Sequence, residues 1–167
     1  MGLLSCNKDV IPDVSVQDGS DSGLITVLIS SKQATTKAAL SAMNDVRINS
    51  VQVFVFDADN RLETDKYVDG LTDDTSTSVT LNTKTGSKVV YALVNHPRKY
   101  FTPGSSGKTL TQFEEELSDL SENSATNLVM SGRNTISVTD VNNNGSGGTA
   151  QTMNIFVKRL ASCIRLD

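Results

Sequence analysis

Cysteine and lysine carry most of the chemistry this chain offers. Leu3-Leu4-Ser5-Cys6 matches the site at which a bacterial lipoprotein signal peptide is cut. Small and aliphatic residues fit the narrow cleft of a signal peptidase, and the Cys6 thiol takes the lipid and becomes the mature N-terminus. On this reading residues 1–5 are a signal-peptide remnant or an expression scar, and stand outside the fold. Residues 6–23 mix Asp, Ser, Gly, Val and Pro with no helical period, and read as a lipidated, flexible tether. The second cysteine, Cys163, could pair with Cys6. The lipid reading uses up Cys6, and Cys163 sits in an apolar strand-like run as a small buried hydrophobe.

Other reactive constellations are weak. His96 is the sole histidine; it precedes Pro97 after a strand end and reads as a turn residue. No His or Cys pair has metal-ligand spacing. Asp57, Asp59 and Arg61 lack the oxygen and glycine positions of a calcium loop. Gly104-Ser105-Ser106-Gly107-Lys108-Thr109 ends like a phosphate loop but lacks the earlier glycine and the preceding strand. No nucleophile has a base beside it in sequence. No enzyme, cofactor or metal is expected.

Charge points the same way. The net charge is −4, from 15 basic and 19 acidic side chains, without the clustered Lys and Arg that phosphate binding needs. Nucleic acid is therefore excluded as the main partner. Tryptophan is absent and aromatic residues are 5%, which disfavours a sugar-stacking platform. No apolar run approaches the ~18 residues of a membrane helix.

The elements that position these residues are mostly strands. Leu24, Ile25, Val27, Leu28 and Ile29 form a first apolar strand, followed by the polar loop SSKQATTKA. In the second, within 46–56, Val51, Val53 and Val55 face one way and Gln52, Phe54 and Phe56 the other. Asp57-Ala58-Asp59-Asn60 is a tight turn. Further strands are expected at 78–81, 88–95, within 131–141 and at 153–166, the last bulged at Lys158 and Arg159. Thr109–Leu120 is the one convincing helix: Leu110, Phe113, Leu117 and Leu120 recur at helical spacing, and Thr109 with Gln112 fits a capping box. Glu114, Glu115 and Glu116 are expected on its solvent face. Residues 142–148 (NNNGSGG) are a loop or hairpin tip. At 167 residues the chain reads as one domain, an antiparallel β-sandwich with a single inserted helix.

Several segments, taken in order, resemble the fimbrillins, the type V pilin subunits. They are Cys6-Asn7-Lys8-Asp9, the first strand with its SSKQATTKA loop, SVQVFVFD at 50–57, YALVN at 91–95, KTLTQFEEELSDL at 108–120, LVMS at 128–131 and VKRL at 157–160. The resemblance implies an all-β fold, a transthyretin-like Greek-key sandwich of about seven strands with one helix, spanning residues 24–167. It implies export as an outer-membrane lipoprotein precursor anchored through Cys6, then assembly into a cell-surface fimbrium that supports adhesion. A trypsin-like protease would cut in the loop after the first strand, and other copies or related pilin subunits would supply the replacement strand. Lys37, followed by Ala38, suits the cut best; Lys32 and Arg47 suit it less well. The family more often has arginine there. It also has a second, C-terminal sandwich domain that this sequence lacks, so a truncated chain is expected.

The alternative is a surface-anchored binding module or pilus-tip adhesin on the same sandwich, for which Tyr67, Tyr100 and Phe101 are the candidate contact residues.

Overall fold

The computed structural model describes residues 22–31, 47–72, 75–96, 108–118, 128–140 and 150–160. Seven strands and one helix occur among them: β1 Ser22–Ser31, β2 Val51–Phe56, β3 Leu62–Val68, β4 Ser76–Lys84, β5 Gly86–Val94, α1 Leu110–Ser118, β6 Met130–Val138 and β7 Gln151–Arg159. The strand order is β3-β2-β5-β6-β7-β1-β4. β6 pairs with β5 along its whole length but with β7 only at Met130↔Arg159 and Ser131↔Lys158. Beyond that short join the sheet folds over into two facing layers. Gly132 marks the parting: a Cβ there would lie 2.5 Å from the Phe156 carbonyl oxygen. The expected all-β sandwich with an inserted helix is therefore the fold.

Period-two alternation builds the core between the layers. Ile25, Val27 and Ile29 of β1, Val79 and Leu81 of β4, and Met153, Ile155 and Val157 of β7 meet Val51, Val53 and Val55 of β2 and Val90, Ala92 and Val94 of β5. The other face of β2 and β5 is covered by α1. Phe54, Phe56, Tyr91 and Leu93 pack there against Phe113 and Leu117. The Phe113 ring lies 4.7 Å from Phe54, 5.1 Å from Tyr91 and 5.5 Å from Phe56, centroid to centroid, in tilted or edge-on contacts. Both expected faces of β2 hold.

Local chemistry fixes the ends of these elements. Gln112 Oε1 accepts from Thr109 N, and Thr109 Oγ1 accepts from Gln112 N, which is the expected capping box. Asp57 Oδ1 accepts from the amides of Asp59 and Arg61, and Asn60 takes φ 59°, closing the β2–β3 turn. At Gly86, φ 103° lets the chain cross from β4 in one layer to β5 in the other.

Four expectations are corrected. β3 was not anticipated: its LETDKYV has no clean alternation, because it lies at the end of the strand order and its residues are half-buried or exposed. β1 and β7 run parallel, not antiparallel, since they come from distant parts of the chain and no hairpin sets their direction. β7 alternates without a bulge, with Lys158 and Arg159 both exposed and in register with β6. Glu114 is not simply solvated: it accepts from the Tyr91 hydroxyl at 2.7 Å and pairs with Arg133, while Glu116 pairs with Lys108. Burial and the neighbouring Glu114 carboxylate push the Tyr91 hydroxyl up to about 12. Residues 119–120 and 161–167, with Leu120 and Cys163, lie outside the described residues.

Phe113 is fully buried, and its ring touches those of Phe54, Phe56 and Tyr91. Phe113→Ala is expected to cost about 3–5 kcal/mol of folding stability. Urea unfolding monitored by circular dichroism should show a lower midpoint at unchanged slope.

Candidate functional site

The strand that opens the described chain sits inside its sheet. β1 pairs antiparallel with β4 from Ser22↔Lys84 to Ser30↔Ser76, and parallel with β7 from Ile25↔Gln151 to Ser31↔Val157. Both of its backbone edges are thus occupied. Ile25, Val27 and Ile29 are 0–1% exposed and point into the core. Leu24 and Leu28, expected as part of the same apolar segment, fall on the outer face by alternation; Leu24 is half-buried and Leu28 is 40% exposed. Thr26 and Thr80 meet hydroxyl to hydroxyl at 2.9 Å on that outer face. The Ser31 amide and hydroxyl both donate to the Thr75 carbonyl.

Three inward side chains contribute about 1.5–3 kcal/mol each when buried, or roughly 5–9 kcal/mol together. That is comparable with the ~5–15 kcal/mol that holds a whole domain. Without β1, a slot would lie between β4 and β7, walled by Val79, Leu81, Met153 and Ile155 and edged on both sides by unpaired backbone groups. Such edges accept a strand of matching pattern.

The far side of β4 is held differently. β3 and β4 stand at opposite ends of the strand order and share no ladder, yet they face each other. Lys66 Nζ donates to the Thr80 carbonyl at 2.7 Å. Glu63 Oε1 accepts from Thr83 Oγ1 and from the Lys84 amide, each at 2.6 Å, while Oε2 accepts from Lys88 Nζ. Lys88 lies on the core-facing side of β5 and is 4% exposed, so its charge needs the Glu63 carboxylate. Burial alone would raise the Glu63 carboxyl, but the hydrogen bonds from Lys88, Thr83 and Lys84 outweigh it and hold the group below its ordinary 4.5.

The other expected site residues are placed as follows. Cys6, Lys32, Lys37 and Ala38 lie outside the described residues, as do Tyr100 and Phe101. Arg47 is exposed, and its carbonyl accepts from Asn95 Nδ2 at 2.7 Å. Asn95, in a left-handed conformation at φ 62°, also accepts from the Asn49 amide and donates to the Leu128 carbonyl, tying three segments together. Tyr67 is half-buried. The exposed aromatic residue that sequence reading missed is Phe156, 54% exposed on the outer face of β7. It follows from the alternation of β7, in which Met153, Ile155 and Val157 turn inward. Among the described residues no cluster of His, Cys, Asp or Glu is arranged to hold a metal ion, and no helix is long and apolar enough to cross a membrane.

Comparison with known proteins bears on this geometry. Residues 25–159 match the family model of the major fimbrial subunit protein (FimA). No curated protein matches. Among solved structures, a Parabacteroides distasonis protein assigned to cell adhesion superposes with a TM-score of 0.56 at 22% identity, covering 83% of this chain and 46% of its own. A fimbrilin from Porphyromonas gingivalis gives 0.51 at 19% identity, over 81% and 39%. A fimbrial assembly protein of Parabacteroides distasonis gives 0.56 at 14% identity, over 83% and 53%. These likenesses are of fold, and the chain spans about half the length of the solved chains it matches.

The depressed Glu63 carboxyl makes stability pH-dependent. The folded state is the stronger acid, so this stabilisation is complete above the unfolded value near 4.5 and is lost as pH falls through the lower folded value. Glu63→Gln should therefore melt below the parent at neutral pH. The gap between the two melting temperatures should close as pH falls below 4.5; a gap constant with pH would contradict the assignment.

Proposed function

The chain belongs to the major fimbrial subunit (FimA) family, and on that premise we propose that it is a structural pilin subunit of a type V-like cell-surface fimbrium. It is exported as a lipoprotein precursor anchored at the outer membrane through Cys6. A trypsin-like protease cuts in the segment after β1, at Lys37-Ala38 in preference to Lys32 or Arg47. The subunit then polymerises by exchange of β1 for a strand of a neighbouring subunit, and the fibre supports adhesion.

The observation that carries this reading is the position of β1, interior to its sheet and paired on both edges. A strand so placed completes the domain while it stays and opens a two-edged apolar slot when it goes. The segment with Lys32 and Lys37 follows it directly in sequence, so one cut there would free β1 without severing any described strand. The fimbrilin and fimbrial assembly proteins among the similar folds support the same class of role.

Limited trypsin treatment of the parent chain, followed by negative-stain electron microscopy, is expected to yield filaments. Lys37→Gln is expected to remain a soluble monomer under the same treatment. Normal polymerisation of that variant would exclude Lys37 as the trigger, and absence of filaments from the parent would count against strand exchange.

A further inference from the structure

We infer that Glu63 and Lys66 are positioning residues for strand replacement, holding β4 in place as the outer wall of the β1 slot while the slot is between occupants. This rests on the strand-exchange reading above.

Among the described residues β4 has one ladder, and its partner is β1. If nothing else held it, departure of β1 would release β4 as well. The slot would lose a wall and no incoming strand could pair across it. The opposite edge of β4 supplies the second hold. Thr80 offers its carbonyl to Lys66 Nζ, and Lys84 offers its amide to Glu63 Oε1. These are backbone groups of one strand edge, satisfied by side chains in the way a neighbouring strand would satisfy them.

The anchor does not depend on β1. Lys66 and Glu63 sit on β3, which pairs with β2. Glu63 is in turn fixed by Lys88 on β5, which pairs with β2 and β6. None of β2, β3 and β5 pairs with β1. The chain adds a tie at the Gly86 crossing, which fixes one end of β4 but not its middle, where Thr80 lies. The charged side chains serve an open slot better than a backbone ladder would. They hold β4 at separated points and leave its β1-facing edge free for a new partner. They also block the exposed β3 and β4 edges from pairing with stray strands.

The test uses the whole chain, nicked once between residues 32 and 46 so that β1 stays bound without a covalent link. It is incubated, in urea below the unfolding transition, with excess fluorescent peptide of residues 22–31. Uptake of the label is followed by anisotropy and gel filtration. The parent is expected to take up the peptide. Lys66→Met and Glu63→Ala should each take up about ten-fold less, the scale of one charge-assisted hydrogen bond, and Lys66→Arg should recover uptake. The same variants without the nick should keep the parent's circular dichroism, which separates a slot defect from a folding defect. Should Glu63→Ala fail to fold, Lys66→Met decides alone, because it leaves the Glu63–Lys88 pair intact. Equal uptake by parent and Lys66→Met would overturn the inference and leave strand exchange standing. No uptake by the parent itself would overturn both.

Discussion

The molecule depends on a strand that has neighbours on both sides. β1 is hydrogen-bonded to β4 and β7 and drives three apolar side chains into the core. A terminal strand at a sheet edge could fray with little consequence. An interior one could not, because among the described residues β4 has no other ladder and β7 has only its two-residue join to β6. Most of what makes this layer a sheet therefore passes through one ten-residue segment. Loss of that segment would take from β4 its ladder and from β7 the longer of its two.

The sandwich almost closes into a barrel, but the last gap is bridged by side chains. β3 and β4 face each other through Glu63, Lys66, Thr83 and Lys88. Backbone closure would have locked β4 between two ladders and given the domain a uniform rim. Side-chain closure satisfies the same polar groups at intervals, at the cost of placing the Lys88 ammonium where water barely reaches it. The carboxylate that neutralises it also accepts from a hydroxyl and a backbone amide, so Glu63 accepts three hydrogen bonds. This arrangement favours the ionised Glu63 carboxyl and makes this corner of the fold sensitive to acid.

What the sequence discloses and what it hides divide along a physical line. Features set by local alternation were legible. Val51, Val53 and Val55 against Phe54 and Phe56, and the Thr109–Gln112 cap, follow from period and short-range hydrogen bonding. Features set by meetings between distant segments were not. The parallel pairing of β1 with β7 has no turn to announce it. β3 reads as a polar stretch because an edge strand needs little apolar surface. Glu63 and Lys66 look like ordinary solvated charges, since their partners lie on strands well downstream. Glu114 looked solvated for the same reason: the Tyr91 hydroxyl that reaches it belongs to another layer. The apolar run of β1 was readable, but the side chains that hold the far edge of β4 were not.

The two layers differ in a way that selects which one could trade a strand. All six residues of β2 are buried, because core covers one face and α1 the other. Extraction of β2 would strip two apolar clusters at once and leave α1 without a floor. β1 buries only one face; its other face carries Thr26, Leu28 and Ser30 toward solvent, and no helix of the described residues lies over it. A departing β1 disturbs one cluster, and an arriving strand need match only three inward positions and a ladder. Its outward side chains are under little constraint. The strand exchange proposed above would need that tolerance, and a one-sided strand between two ladders provides it.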